Sequence, residues 1–260
     1  MQIHLAAEYQ TSRDRLRRLA PAVALVVVAA ACWAITAQRM QGMDMGPGTD
    51  LGGLGWFAVV WLTMMAAMMF ASLVPMGVGY ARASRDRGAL APTVASLVFS
   101  IGYLLTWVGA GLLAYALFDG VRSLDLSWLA WSHGGHYVAG GVILAAALYE
   151  LTPLKSACLR HCRNPQLLAQ RWRPGRSGAL LAGLEHGGFC VGSSWALMAT
   201  LFALGVMSIT WMVVMAVVVA VEKLLPSDRL AIGITVVVVA ALAFAVALAP
   251  GPLPGLTIPG

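Results

Sequence analysis

The sequence predicts an all-α protein, a polytopic bundle of transmembrane helices. Of its 260 residues, 60% are hydrophobic and only 11% are charged, far from the balance found in water-soluble domains. The apolar residues form long runs, close to the roughly 20 residues that a helix needs to cross a bilayer. Because a water-soluble fold could not bury this much apolar surface, the composition excludes that class of protein.

Seven apolar stretches are the predicted spans, and six is the alternative because only a few residues separate the fifth stretch from the sixth. They lie near residues 20–37, 56–79, 93–118, 135–152, 179–204, 207–225 and 229–249. The predicted organisation follows from them: a basic N-terminal segment at 1–19, a transmembrane helical domain at 20–249 with a basic loop at 153–178, and an irregular proline-rich tail at 250–260.

The positions of Lys and Arg predict which side of the membrane each loop faces. If the N-terminus is cytoplasmic, every Lys and Arg falls on the cytoplasmic side except Arg39 and Arg122. This asymmetry is the one that the positive-inside rule describes. The formal charge of +6 is therefore interpreted as a topology signal, and nucleic acid is not a predicted partner.

The second span carries two methionine pairs, Met64 with Met68 and Met65 with Met69. Residues four apart share one face of a helix. Thioethers are soft ligands that suit Cu(I), so stacked pairs could relay this ion through the membrane. The spacing resembles the M-x-x-x-M signature of high-affinity copper transporters. The alternative is packing alone, since methionine is a flexible filler of apolar cores.

The start of the fifth span combines Glu185, His186 and Cys190. His186 and Cys190 share a helix face, and an imidazole with a thiol could bind Cu(I) or Zn(II). Ionisable residues within a span are functional candidates because they are costly to bury. A hydrogen-bonded histidine beside an inert cysteine is the alternative. A serine hydrolase using Ser193 or Ser194 is disfavoured, because seven or eight positions along one helix hold serine and histidine about 10 Å apart.

Two further groups of candidate metal ligands lie in predicted loops. The basic loop carries Cys158, His161 and Cys162, which could accept a metal on the inner side, with lipid binding by the basic residues as the alternative. On the outer side, the candidates that could capture a metal are His133 and His136 before the fourth span, and Met40, Met43 and Met45 after the first.

Other features predict packing or anchoring. Gly183, Gly187, Gly188 and Gly192 form overlapping small-xxx-small patterns, which let a neighbouring helix approach closely. Lys223 follows Glu222 at the end of the sixth span, where its long side chain is predicted to snorkel to the membrane interface.

Several segments together resemble the bacterial family called domain of unknown function 2182, described as predicted metal-binding integral membrane proteins. They are W-L-T-M-M-A-A-M-M at 61–69, Y-E-L-T-P-L-K-S-A-C-L-R-H-C-R-N-P at 149–165, H-G-G-F-C-V-G-S-S-W-A-L-M at 186–198, G-V-M-S-I-T-W-M at 205–212 and E-K-L-L-P at 222–226. The resemblance covers residues 56 to about 230 and implies metal binding. Where that family often has Cys-x-Gly-Cys-Cys-Trp, this chain has Ser193 and Ser194 in place of two thiols.

The predicted function is that of a metal-binding protein of the bacterial inner membrane that transfers or transports copper as Cu(I), with zinc as the alternative metal. Beyond the lipid bilayer, the predicted partner is a periplasmic metal chaperone or a membrane enzyme complex. Two other classes stay open: a scaffold or assembly subunit that transports nothing, and a metal- or thiol-dependent membrane enzyme. The enzyme is the less favoured, because no complete set of acid, base and nucleophile emerges.

Overall fold

The computed structural model describes residues 2–40, 51–87, 90–124, 134–205 and 208–248, and the side chains of 2–18 and of position 169 lie outside this description. Within these residues all regular structure is α-helical, which confirms the predicted fold class. The helices are α1 (Gln2–Arg39), α2 (Leu54–Asp86), α3 (Pro92–Ser123), α4 (Gly135–Glu150), α5 (Pro153–Arg163), α6 (Pro165–Gln170), α7 (Gly175–Leu204), α8 (Ile209–Leu224) and α9 (Asp228–Leu248).

Five of these helices are long and apolar enough to cross a membrane, namely α1 from Leu19 onward, α2, α3, α7 and α9. Helices α4 and α5 pass the same test only together, as one span bent by 67°. Helix α8 has 16 residues, fewer than the roughly 20 that cross a bilayer. In the described part of the chain, length and apolarity therefore support five or six spans, and the predicted span near 207–225 is a shorter helix.

The bend between α4 and α5 has a local cause. Pro153 occupies the first turn of α5, where its missing N–H leaves no hydrogen bond unmade. Thr152 caps that helix, because its hydroxyl accepts a hydrogen bond of 3.2 Å from the backbone N–H of Lys155. The predicted loop at 153–178 is thus largely helical, since α5 and α6 occupy most of it.

Glycines bring α3 and α7 into close contact. A Cβ added to Gly183 would collide with the backbone carbonyl of Phe99, and one added to Gly102 would collide with that of Leu180. Gly187 meets Thr106 in the same interface, and the Thr106 hydroxyl donates a hydrogen bond of 3.1 Å to the carbonyl of Leu184. The predicted close approach at the glycines of the fifth span is therefore confirmed for this pair of helices.

Helix α2 is the most enclosed of the predicted spans, and it packs against α1, α3 and α8. Its indole at Trp61 donates a hydrogen bond of 2.8 Å to the carbonyl of Trp107 on α3. The four predicted methionines of α2 are at most 3% exposed, so both methionine pairs face the protein and not the lipid. Helix α4 pairs with α9 on another side of the bundle.

Candidate metal centre

Three sulfur atoms from three helices meet inside the bundle. Cys190 of α7 is fully buried, Met69 of α2 is fully buried, and Cys162 of α5 is 5% exposed. Cys162 Sγ lies 3.7 Å from Ser193 Oγ, and that hydroxyl donates a hydrogen bond to the backbone carbonyl of Cys190, so the two cysteines lie on facing sides of α5 and α7. Met69 joins them through Lys223, which contacts both Met69 and Cys190. We call Met69, Cys162 and Cys190 the sulfur cluster.

Lys223 of α8 points into the sulfur cluster. Its Nζ lies 2.8 Å from Cys190 Sγ and 3.9 Å from Met69 Sδ. The Tyr103 hydroxyl of α3 lies 2.9 Å from the same Cys190 sulfur. The prediction that Lys223 snorkels outward is therefore wrong. Its ammonium turns inward to the two sulfurs, because a partly buried cation is stabilised by such partners.

Helix α5 reaches the cluster because its small and flat residues fit against α7. The His161 ring stacks on Phe189 with centroids 4.3 Å apart and an interplanar angle of 12°. Cys162 Sγ lies 3.7 Å from Ser193 Oγ. Cys158 lies against Gly192, where any Cβ would meet its sulfur at 2.7 Å. The amphipathic segment that carries Cys158, His161 and Cys162 is thereby held against the middle of α7.

A buried ion cluster lies beside the sulfurs. Lys155 of α5 lies 2.5 Å from a carboxylate oxygen of Glu150 at the end of α4. Its ammonium also donates hydrogen bonds of 2.9 and 3.1 Å to the two carboxylate oxygens of Glu222 on α8. All three side chains are fully buried. Because Glu222 precedes Lys223 in sequence, this ion cluster fixes the end of α8 that carries Lys223.

A cavity of about 40 Å³ lies one helical turn from the cluster. It is lined by His186, Glu185, Arg171, His161 and Met76, together with apolar residues of α6 and α7. Because a single water needs about 10–15 Å³, the cavity has room for a hydrated ion's first waters. His186 is the residue of α7 four positions before Cys190, so the cavity approaches the sulfur cluster along that helix face.

The two histidines of this cavity are held differently. The ring of His186 is 6% exposed and lies between Phe99 and Tyr103, with ring centroids 5.6 and 5.8 Å away. Nδ1 of His161 lies 2.9 Å from the carbonyl oxygen of Ala157, so it carries the proton of that hydrogen bond. Nε2 of His161 is then the nitrogen with a free lone pair, as a metal ligand requires.

Other predicted ligands lie away from the sulfur cluster. Glu185 forms ion pairs with Arg171 and, at 3.9 Å, with Arg173. His136 lies in the first turn of α4, and its ring centroid lies 4.1 Å from that of Tyr137. Fourteen residues separate His136 from Glu150, so about 20 Å of helix lies between that histidine and the buried ion cluster. His133, Met43 and Met45 fall outside the described residues, while Met40 is buried.

The four predicted methionines of α2 differ in how they relate to the sulfur cluster. Met69 belongs to the sulfur cluster, and Met65, one turn earlier, is fully buried on the same face. Met64 and Met68 are buried as well, at 1% and 3% exposure. All four are thus core residues, which we call the thioether lining, and of these four Met69 contacts Lys223.

Sequence reasoning missed three residues of this region. Lys223 was interpreted as an interfacial anchor, and Tyr103 and Met76 were not singled out. Met76 lies seven positions after Met69, hence on the same helix face, and this spacing was a usable signal. No local pattern marks Tyr103, because its partner Cys190 is 87 positions away in the chain.

The serines next to Cys190 are structural in this arrangement. Ser193 Oγ donates a hydrogen bond of 2.9 Å to the carbonyl of Cys190 and lies 3.3 Å from Ser194 Oγ. Both serines are fully buried. The family that the sequence resembles often has further thiols at these positions, whereas this chain has hydroxyls. The second thiol of the sulfur cluster comes from another helix, as Cys162 of α5.

The donor set decides which metals fit. Among the described residues, no three His, Cys, Asp or Glu side chains converge. Structural zinc sites use four such ligands in a tetrahedron. Thiolates and thioethers, by contrast, are the ligands that select Cu(I). Two thiols and a thioether thus suit Cu(I) better than Zn(II).

The chain was compared with protein families, curated proteins and solved structures. A family model described as PpoB2, copper chaperone, matches residues 58–246. No curated protein and no solved structure matches. The family match supports a copper-related family, but it does not carry the name domain of unknown function 2182. The matched range includes every residue of the sulfur cluster.

Proposed function

The chain belongs to the PpoB2 family of copper chaperones, and we propose on this premise that it binds Cu(I) within the membrane and passes the ion to a partner. The single observation that carries the proposal is the placement of Cys162, Cys190 and Met69 in one buried region between α2, α5 and α7, where Cys162 lies against Ser193 and Lys223 contacts Cys190 and Met69. A soft monovalent ion is the cargo that such donors prefer.

In the proposed site, the sulfurs of Cys162 and Cys190 bind the ion, and Met69 adds a neutral thioether. Thiolates bind Cu(I) more strongly than thioethers do, because their negative charge adds to their softness. The buried methionines of α2, Met64, Met65 and Met68, then serve as weaker stations on the outer side of the thiols. Such an order of ligand strength favours capture by the thiols.

The cavity beside His186 is the proposed route between the thiols and the side of the protein where α6 lies. His161 and Met76 line this cavity and are both metal-binding residue types. The ion pair between Arg171 and Glu185 stands at its edge. In this proposal His161 and His186 are transient contacts for the ion, and Glu185 is a structural partner of the arginines.

The proposed cellular setting follows from the positive-inside asymmetry. The N-terminus and the end of the bundle with α6 then face the bacterial cytoplasm, and His136 faces the periplasm. The proposed partners are a periplasmic metal chaperone or a membrane enzyme complex that requires copper. The cavity and the thioether lining give the ion one route on each side, so they do not by themselves assign a direction.

The test is the Cu(I) affinity of the full-length protein purified in detergent, measured by competition with a chromogenic Cu(I) chelator. Cys162→Ser and Cys190→Ser are expected to lose high-affinity binding. Cys32→Ser is the matched control, because Cys32 lies on α1, which contributes nothing to the cluster. If all four proteins bind Cu(I) equally or none binds it, the sulfur cluster is not the copper site and the scaffold becomes the better hypothesis.

A further inference from the structure

Lys223 brings a positive charge to the place where the metal is proposed to bind. Its Nζ is 2.8 Å from Cys190 Sγ and 3.9 Å from Met69 Sδ, and both sulfur-bearing side chains are fully buried. A cation bound by Cys190 and Met69 therefore lies next to this ammonium. The lysine ammonium is a compact point charge, so its repulsion of a nearby cation is concentrated at Nζ.

The buried ion cluster of Glu150, Lys155 and Glu222 fixes the position of Lys223. Glu222, its neighbour in sequence, accepts two hydrogen bonds from Lys155, and Lys155 is also paired with Glu150. These carboxylates are already engaged by Lys155. The Lys223 ammonium is consequently directed to the sulfurs. The Tyr103 hydroxyl also contacts one of them, Cys190 Sγ.

The charge of the bound metal then decides the electrostatic energy of the site. Cu(I) or Ag(I) held by two thiolates forms a complex of net charge −1, which the Lys223 ammonium neutralises. Zn(II) held by the same thiolates forms a neutral complex, so the partly buried ammonium is left without a compensating negative charge. Uncompensated charges in the interior are strongly unfavourable.

We propose that Lys223 is a specificity-determining residue that makes the sulfur cluster selective for soft monovalent cations, Cu(I) and Ag(I), over divalent Zn(II). This inference rests on the proposed copper function and deepens it by naming the charge class of the cargo. The selectivity comes from the extra positive charge of a divalent ion, which Lys223 repels whatever the protonation of the neighbouring carboxylates. Lys223 acts on the metal through space and is not a ligand.

The experiment compares full-length protein in detergent with Lys223→Met, using the metals alone. Affinities for Ag(I), Cu(I) and Zn(II) are measured by chelator competition, and the reported quantity is the ratio of monovalent to divalent affinity. Removing the ammonium should lower this ratio on the order of 1,000-fold, the scale of a unit charge about 4 Å away at an effective dielectric constant of about 20. Zn(II) binding should tighten much more than Ag(I) binding does, because the divalent ion carries twice the charge that the ammonium repels.

Two control variants test whether the charge of Lys223 sets this ratio of affinities. Lys223→Arg keeps the charge and should keep the ratio, which a loss of packing alone would not explain. Arg229→Gln removes an exposed positive charge from the start of α9 and should leave the ratio unchanged. Thermal unfolding of each variant reports whether it folds, and Lys223→Gln replaces Lys223→Met if the latter does not.

The outcomes separate the two proposals. If the wild type binds Ag(I) and Cu(I) through Cys190 but Lys223→Met and Lys223→Gln keep the wild-type ratio, the selectivity role of Lys223 is overturned and the copper site stands. If the wild type binds neither monovalent ion, or binds it equally well as Cys190→Ser, the proposed function itself fails, and the role of Lys223 fails with it.

Discussion

Lys155 on α5 donates two hydrogen bonds to the carboxylate of Glu222 on α8, at 2.9 and 3.1 Å, and both side chains are fully buried. This contact joins two short helices, neither of which is long enough to cross a membrane alone. It also fixes the end of α8 beside the sulfur cluster. The ion cluster of Glu150, Lys155 and Glu222 is therefore a structural support for the candidate metal centre.

Lys155→Met should strongly destabilise the protein. Removing the ammonium leaves Glu150 and Glu222 as buried carboxylates without a cation, and breaking a buried pair in this way costs about 3–5 kcal/mol. The measurement is the thermal unfolding temperature in detergent. A triple variant that adds Glu150→Gln and Glu222→Gln should recover much of the loss, because no buried charge is left alone. An unfolding temperature of Lys155→Met equal to the wild type would refute a structural role for the cluster.

Gly183→Val should separate α3 from α7. The backbone of Phe99 leaves no space for a Cβ at Gly183, and backbone cannot yield as a side-chain end can. Overpacking of this kind costs about 1–3 kcal/mol or more. Gly188→Ala is the matched control on the same helix, because a Cβ there meets nothing within 4 Å. Comparable unfolding temperatures for the two variants would contradict the close packing of α3 on α7.

Cys162 and Cys190 should be bridged by dibromobimane, a reagent that fluoresces when both of its arms bind thiols. The prediction follows from the placement of Cys162 against Ser193, whose hydroxyl is bound to the carbonyl of Cys190. Cys158→Ser is the proper background, because Cys158 lies one turn from Cys162 on α5. Fluorescence should persist in that variant and vanish when Cys190→Ser is added. Persistent fluorescence in the double variant would mean that the thiols do not meet as described.

Ala182→Leu should slow the exchange of copper without changing its affinity much. Ala182 is 3% exposed and lines the cavity beside His186, so a larger side chain there narrows the proposed route and leaves the sulfurs untouched. The measurement is the rate at which Cu(I)-loaded protein transfers its ion to a chelator in stopped flow. Ala241→Leu, at an exposed position of α9, is the control. An unchanged transfer rate in Ala182→Leu would show that the ion does not pass through this cavity.

The sequence was a good guide to the helices that are long and uniformly apolar. Apolar runs of this length have few alternatives in water or lipid, because every backbone polar group in a bilayer must be paired within its own helix. The same reasoning overestimated the length of the helix at 207–225. Its composition is that of a span, but α8 has only 16 residues, and Lys223 in its last turn contacts Cys190.

Local spacing was equally informative about which residues share a face. His186 with Cys190, and Met65 with Met69, follow directly from the period of the α-helix. Spacing could not reveal which faces meet. It placed Cys162 and Cys190 on separate candidate sites, and it gave no reason to prefer Cys162 over Cys158.

The sequence by itself determined an all-α chain with spans that suit a membrane, and the soft residue types from which a copper site can be built. Only the tertiary structure decided that Met69, Cys162, Cys190 and Lys223 meet. Met69 and Lys223 are 154 positions apart in the chain, and Lys223 and Cys190 are 33 apart. The physical reason is that periodicity fixes contacts within one helix, whereas contacts between helices depend on how the short helices α5 and α8 pack against α2 and α7.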